Sequence, residues 1–217
     1  MAGSLVHLAV MCELMRKYSF KDPDRIKFAV VVPDAGTDHV KCHFKHRFDD
    51  GKMSMYDLNA FKEMYGDKIM SDDVYLGYYL HLVQDAVYRQ YVYNEHHWVP
   101  DSAEKVDKLH NDYALCNPHI IEKYGLKNDL KVPKDFYELD ICKDFSFDAD
   151  NFIYNTIKTY FEQVPTGEFF FFTDKMTDEY IERAVSICLS EIEALTKGEA
   201  FVNPRDYAWN REHWNRK

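Results

Sequence analysis

Histidine and aspartate side chains in the first half of the chain are the groups whose types and spacing could support chemistry. Nine of the ten histidines precede residue 120, and acidic residues stand among them. In the segment VYLGYYLHLVQDAVY, His81 and Asp85 are four residues apart. A helix would place both on one face, with Cβ atoms about 5–6 Å apart. An imidazole and a carboxylate at this separation suit zinc or another borderline divalent metal.

The surroundings of this pair leave several interpretations open. Its neighbours are almost all apolar, and a carboxylate among them is unfavourable unless something compensates its charge. A metal ion would compensate it. So would a buried hydrogen bond between His81 and Asp85, or an ion pair with Arg89, which is again four residues from Asp85. The pair alone does not decide among these.

Other segments of the first half offer similar side chains. His7 lies in an apolar helical stripe, where a lone histidine is more often a hydrogen-bonded core residue than a ligand. Asp34 ends an apolar run and could instead cap a turn. His39 and His43 share the four-residue spacing, in a stretch that could also be a solvated loop. Because separate segments each supply histidine or aspartate, the set predicts a metal site more strongly than any one member does.

Long helices must position these residues, since only 8 glycines and 7 prolines interrupt the chain. Apolar periodicity and capping residues predict helices at about 4–18, 55–65, 72–94, 102–115, 148–163 and 177–197. The run at 24–32 is ambiguous between strand and buried helix, and helix is preferred. Residues 33–52 are predicted to form a long loop, GEFFFFT a strand or buried connector, and the 203–217 tail a last helix. We therefore predict an all-α fold, a single compact multi-helix domain over 1–217, with the metal-ligand segments in 1–115 and mainly scaffold helices in 116–217.

Composition narrows the class of protein further. The formal net charge of −10 disfavours binding to a nucleic-acid backbone. The five cysteines form no CxxC pair and are odd in number, which is typical of reduced thiols in a cytoplasmic protein. We find neither a signal-peptide pattern nor an apolar stretch long enough to span a membrane. These features predict a cytoplasmic protein without a nucleic-acid partner, and they leave the oligomeric state open.

The order of the candidate residues resembles the zinc-dependent phospholipase C-like family, whose relatives include bacterial phospholipases C and P1-type single-strand nucleases. The shared features lie within about residues 5–90. They are His7, the Pro33–Asp34 pair, the KCHF segment at 41–44 and GYYLHLVQD at 77–85. The last motif is fairly specific, whereas the others count through their order.

This resemblance implies a metal site in a cleft between helices, holding one or two zinc ions or another divalent metal. The matching ligand positions are His7, Asp34, His43, His81 and Asp85. Asp85 would bridge if two ions bind. Asp34 would either ligate or act as general base towards the attacking water. His39 competes with His43, and His110 is a weaker candidate.

The chain also departs from the family pattern. No tryptophan lies near the N-terminus, and no downstream His-x-x-x-Glu pair is found where the family uses one. The residues that could fill the missing positions are His96, His97, His110 and Asp112. One or two metal ions are therefore expected, and not three.

The working hypothesis is a metal-dependent hydrolase that uses a metal-activated water on a small-molecule or lipid-like phosphoester. Lys41, Lys45 and Arg47 could hold an anionic substrate or form a solvated charge run. The alternative is a non-catalytic helical binding domain with a structural metal or buried His–Asp pairs, which a closed four-ligand site would favour. An HD-type phosphohydrolase would need an adjacent His-Asp dipeptide, which the chain lacks.

Overall fold

The computed structural model describes residues 2–211, and helices dominate them, which confirms the predicted all-α class. The helices are α1 (Ser4–Met15), α2 (Pro23–Ala29), α3 (His39–Cys42), α4 (Leu58–Ile69), α5 (Asp73–Arg89), α6 (Ala103–Tyr124), α7 (Ile141–Asp144), α8 (Ala149–Asn151), α9 (Lys158–Glu162) and α10 (Asp174–Thr196). Turns of 3-10 helix lie at Val32–Ala35, Phe136–Glu138 and Pro204–Tyr207. Turns of π-helix lie at Gln90–Glu95 and Phe152–Ile157. Among the described helices, none combines the length and apolarity that crossing a bilayer requires.

Helix α5 is the centre of the fold, because all of its residues are buried. A helix that is apolar nearly all round belongs inside a core, and α5 packs against α2, α4 and α10. The Asp72 carboxylate caps its first turn by accepting from the Val74 amide. A Cβ at Gly77 would lie 2.5 Å from the Ala29 Cβ, so glycine permits the close approach of α2 to α5. This approach brings the end of α2 beside the middle of α5.

The segment predicted as a long loop contains regular secondary structure, so that prediction is wrong. It contains the turn Val32–Ala35, helix α3 and a hairpin of β1 (Lys45–Phe48) and β2 (Met53–Tyr56). The strands are antiparallel, with Lys45 opposite Tyr56 and Phe48 opposite Met53. Asp49, Asp50 and Gly51 form the turn with positive φ angles, which these residue types tolerate better than most. A short strand β3 (Trp209–Asn210) extends the sheet beside Ser54.

Other boundaries also differ from those predicted. Helix α4 begins at Leu58 behind an Asp57 cap, and α6 continues through Pro118 to Tyr124. The GEFFFFT segment is neither a strand nor fully buried, since Phe172 is buried while its neighbours Phe169 and Phe170 are exposed. The described part of the tail forms a 3-10 turn and β3 instead of a helix, and residues 212–217 lie outside the described residues. The ambiguous run at 24–32 lies largely in α2, as preferred.

Candidate metal centre

The five residues predicted as ligands come together at the centre of the fold. His7 comes from α1, Asp34 from the 3-10 turn after α2, His43 from the C-terminal end of α3, and both His81 and Asp85 from α5. The side chains of the three histidines and of Asp85 are 0% exposed, and that of Asp34 is 9% exposed. Two overlapping groups, His7–Asp34–His81 and His43–His81–Asp85, each have ligand atoms within 4.8 Å of one another.

Two of the imidazoles are held by backbone carbonyls. His81 Nδ1 donates to the Val30 carbonyl oxygen at 2.8 Å, and His43 Nδ1 donates to the His39 carbonyl oxygen at 3.0 Å. A carbonyl only accepts, so each Nδ1 must carry the hydrogen. In the neutral ring, Nε2 is then left with its lone pair. This arrangement, with the second nitrogen tethered, is usual for histidines that bind metals.

The two free nitrogens lie close to each other and to two carboxylate oxygens. His43 Nε2 lies 3.1 Å from His81 Nε2, 3.3 Å from Asp34 Oδ1 and 3.8 Å from Asp85 Oδ2. His81 Nε2 lies 3.9 Å from Asp34 Oδ1 and 3.8 Å from Asp85 Oδ2. A tetrahedral zinc ion with bonds of about 2.0–2.1 Å separates its ligands by about 3.4 Å. The atoms of His43, His81 and Asp85, which form one of the two groups, are 3.1–3.8 Å apart, close to that separation.

The alternative of a direct hydrogen bond between His81 and Asp85 does not fit, because 3.8 Å is too long for one. Two carboxylate oxygens of the cluster, Asp34 Oδ1 and Asp85 Oδ2, are buried without a hydrogen-bond partner among the described residues. Buried polar atoms in native proteins nearly always have a partner. A cation is the partner that would suit oxygens and bare nitrogens at once.

His7 lies on the other side of Asp85. Its ring stacks on that of His81, with centroids 4.0 Å apart. His7 Nδ1 lies 3.0 Å from Gln84 Oε1, and His7 Nε2 lies 3.5 Å from Asp85 Oδ1. Asp85 Oδ1 also accepts from the Ala2 amide at 3.0 Å. The two oxygens of Asp85 thus face different halves of the cluster, as a bridging carboxylate would.

The pKa values of four cluster residues favour the protonation states that bind a cation. Burial would raise the pKa of Asp34, but the adjacent imidazole of His43 and the nearby His81 and His7 hold that pKa well below its usual range. The pKa of Asp85 is also well below its usual range, because neighbours that include His7 and His81 outweigh its burial. Burial lowers the pKa of His43, and burial together with the charge of His7 lowers the pKa of His81 to about 3. His43 and His81 are therefore neutral and both carboxylates ionised near neutral pH.

The pKa of His7 moves in the opposite direction. Burial lowers it, but the adjacent carboxylate of Asp85 and the charge of Asp34 together raise it above its ordinary value. Protonated His7 supplies positive charge that the two buried carboxylates need when no ion is bound. Metal binding at His7 would displace that proton.

A cavity of about 510 Å³ reaches the cluster at Asp34, its least buried member. Ser4 Oγ donates to Asp34 Oδ2 at 2.7 Å in this wall. The cavity is lined by Ala2, Gly3, Ser4, Leu5, Asp34, His39, His110, Tyr113, Ala114, Asn117, Phe152 and Tyr160. Access from this side makes Asp34 the residue at which a small molecule would meet the cluster.

The weaker ligand candidates His39 and His110 do not lie in the buried cluster. His39 contributes its backbone carbonyl to His43, and its exposed imidazole lines the cavity instead. His110 is exposed on α6 and lines the same cavity.

The downstream candidates also lie elsewhere. His96 and His97 line a different cavity, beside Trp98. The buried Asp112 accepts the backbone N–H groups of Phe170, Phe171 and Phe172, so it fixes a loop. None of these described residues lies in the buried cluster.

Lys45, one of the three cations predicted to hold an anion, has a pKa that the cluster carboxylates affect. Lys45 is half-buried; burial and the charge of Arg89 lower its pKa, while Asp85 and Asp34 partly offset this effect. Lys41 is exposed beside Asp38, and Arg47 is exposed on β1. For Lys41 and Arg47, a solvated charge run is the better interpretation.

Sequence reasoning missed Ser4, Gln84 and the carbonyl groups of Val30 and His39. Ser4 stands three residues before His7, a helical spacing that could have indicated a shared face. A backbone carbonyl leaves no residue-type signal.

Comparison with known proteins does not add to this geometry. The chain matches no protein-family model, and neither a curated protein nor a solved structure shows significant similarity to it.

Proposed function

We propose that the protein is a metal-dependent hydrolase, with one or two zinc ions at the cluster and a phosphoester as substrate. The observation that most strongly supports a bound metal ion is the contact between His43 and His81. Their Nε2 atoms face each other at 3.1 Å, while both Nδ1 hydrogens are committed to carbonyls. Two lone pairs at this distance repel each other, and a shared cation would make the contact favourable.

The donor set fits zinc in both its chemistry and its spacing. His43, His81 and Asp85 would hold a first ion and leave a position for water beside Asp34, and His7 with Asp85 Oδ1 would extend the site to a second. Imidazole nitrogens and carboxylate oxygens are ligands that zinc accepts readily, although other divalent metals accept them too. When bound, the metal would supply a water of pKa near 7 and offset charge on phosphoryl oxygens.

The chain's own residues would hold the substrate and move the proton. Asp34 stands where the cavity meets the cluster, so its carboxylate is placed to accept a proton from the attacking water. Ser4 orients that carboxylate through its hydrogen bond to Oδ2. The rings of Tyr113, Phe152 and Tyr160 give the cavity an apolar wall, which suits the lipid-like or aromatic part of an ester. The step to phosphoesters is supported by the motif resemblance to zinc-dependent phospholipases C.

A panel of phosphodiesters and phosphomonoesters, assayed with added zinc and with chelator, tests the reaction. We expect zinc-dependent turnover of at least one ester class and its loss in His81→Ala and Asp85→Ala. His119→Ala is the matched control, because His119 pairs with Asp178 outside the cluster. Metal-dependent turnover that survives both cluster substitutions would contradict the site assignment.

A structural metal in a non-catalytic binding domain is the second candidate, and the burial of the cluster favours it. The side chains of His43, His81 and Asp85 are fully buried, and a closed four-ligand site leaves no position for water. Zinc that stabilises the fold while no ester is hydrolysed would support this candidate over the hydrolase.

A further inference from the structure

The three imidazoles of the cluster differ in what holds their Nδ1 atoms. His43 and His81 face backbone carbonyls, which can only accept, so their tautomers follow from the path of the chain. His7 Nδ1 instead faces the side-chain amide of Gln84, with Oε1 at 3.0 Å. An amide can present either an acceptor oxygen or a donor NH₂. The tautomer of His7 therefore depends on which end of the Gln84 amide faces it.

The two orientations of this amide have opposite consequences. With Oε1 towards the ring, His7 carries its hydrogen on Nδ1, and the Nε2 lone pair faces Asp85 Oδ1 at 3.5 Å. With NH₂ towards the ring, the hydrogen would move to Nε2 and point at Asp85. His7 would then be a hydrogen-bond donor to Asp85 and could not act as a ligand.

The surroundings of Gln84 show that its orientation has an energetic cost. The side chain is completely buried on α5, between His81 and Asp85 in sequence. Its Nε2 is buried without a hydrogen-bond partner among the described residues, an unfavourable state that native structures usually avoid. Its backbone carbonyl accepts from Tyr180 Oη at 2.9 Å, which ties this part of α5 to α10. The amide NH₂ of Gln84 thus stays unpaired while the amide oxygen holds His7.

We propose that Gln84 is a positioning residue that sets His7 in the tautomer able to bind metal through Nε2. This role rests on the proposed metal site, because it matters only if His7 is a ligand. Gln84 would not touch the metal or the substrate. It would act on affinity through His7 alone, as outer hydrogen-bond partners of metal-binding histidines do.

The tautomer can be read without any metal. Long-range ¹H–¹⁵N correlation spectra of the chelator-treated wild-type protein, recorded at alkaline pH where the ring is neutral, distinguish a protonated from a bare ring nitrogen. We expect His7 to carry its hydrogen on Nδ1. A hydrogen on Nε2 would overturn the proposal, whether or not the protein binds zinc.

Variants of Gln84 test the consequence for metal binding. Gln84→Met keeps the approximate volume but removes the acceptor, and we expect zinc affinity, measured by competition with a chelating dye, to fall about 10–100-fold. Gln84→Glu restores an acceptor and should return affinity to within a few-fold of wild type. Tyr180→Phe is the matched control, because it removes the bond to the backbone carbonyl of the same residue and leaves the amide in place.

These results distinguish a failure of the role of Gln84 from a failure of the metal site. Wild-type zinc affinity and an unchanged His7 tautomer in Gln84→Met would overturn the role of Gln84 and leave the metal site standing. Failure of the wild-type protein to bind zinc would instead refute the proposed metal site, and the wild-type spectra would still decide the tautomer. Should the Gln84 variants fail to fold, those same spectra remain decisive.

Discussion

His43 Nε2 and His81 Nε2 lie 3.1 Å apart in a fully buried setting, although neither nitrogen has a hydrogen to give the other. Their rings come from different elements, the end of α3 and the middle of α5. The carbonyls that hold them come from α3 and from the end of α2. Three elements thus converge to bring two lone pairs together, an arrangement that a shared cation explains and a neutral core does not.

The metal-free protein should lose stability in acid. The pKa of His81 is lowered from 6.5 to about 3 in the fold and returns to its ordinary value on unfolding. Between these values the unfolded chain binds more protons, so the stability contributed by neutral His81 is present above about pH 6.5 and is lost as the pH falls towards 3. His43 shifts in the same direction. The lowered carboxylate pKa values add a loss below about pH 4. The raised pKa of His7 adds stability as the pH falls to about 6.5 and gives no further change below it, because His7 is then protonated in both states.

Urea unfolding of chelator-treated protein across this pH range measures the effect. His81→Asn should flatten the pH dependence, while His46→Asn, on an exposed strand position, should leave it unchanged. A free energy of unfolding that rises as the pH drops from 6.5 to 4 would contradict these assignments.

Asp34→Asn should separate binding from catalysis. The amide keeps an oxygen near the metal position but cannot take a proton, so we expect activity to fall about 10²–10⁴-fold, the usual loss for a general base. Bound metal should decrease much less. Asp178→Asn, outside the cluster, serves as control. Equal losses of metal and activity would show that Asp34 acts only as a ligand.

His39→Ala and His110→Ala should affect the substrate and spare the metal. Both imidazoles line the cavity and neither belongs to the buried cluster. We therefore expect a higher KM with wild-type metal content, measured by steady-state kinetics and elemental analysis. Loss of metal from either variant would show that the substituted histidine is a metal ligand after all.

Gly77→Ala should weaken both fold and site. The added Cβ would lie 2.5 Å from the Ala29 Cβ and 3.0 Å from the Ile26 carbonyl oxygen, which would force α2 away from α5. Overpacking of this kind costs about 1–3 kcal/mol, and it would also move the Val30 carbonyl that orients His81. Zinc affinity should fall together with the urea midpoint.

Gly66→Ala is the matched control for this change. Gly66 lies inside α4 with nothing within 4 Å of an added Cβ, so alanine there should stabilise the helix by roughly 0.5–1 kcal/mol. A Gly77→Ala variant as stable as wild type would contradict the close contact of α2 and α5.

The residues of the cluster could be predicted from the sequence, but the groups that hold them in place could not. Helical spacing placed His81 and Asp85 on one face, and motif order singled out His7, Asp34 and His43. The hairpin within 33–52 was missed because β1, KHRF, lies largely exposed at the sheet edge and shows no alternation of polar and apolar residues. Which groups hold each Nδ1 could not be foreseen, since that depends on where α2 and α3 end in space.

The metal content of the native protein decides whether the buried cluster is a metal site. Native mass spectrometry of protein purified without chelator should show an added mass of one or two zinc ions per chain. The His43→Ala/His81→Ala variant should show none. His46→Ala/His119→Ala should retain the wild-type number. A metal-free wild-type chain that also binds no added zinc, or a cluster variant that keeps its metal, would contradict the account.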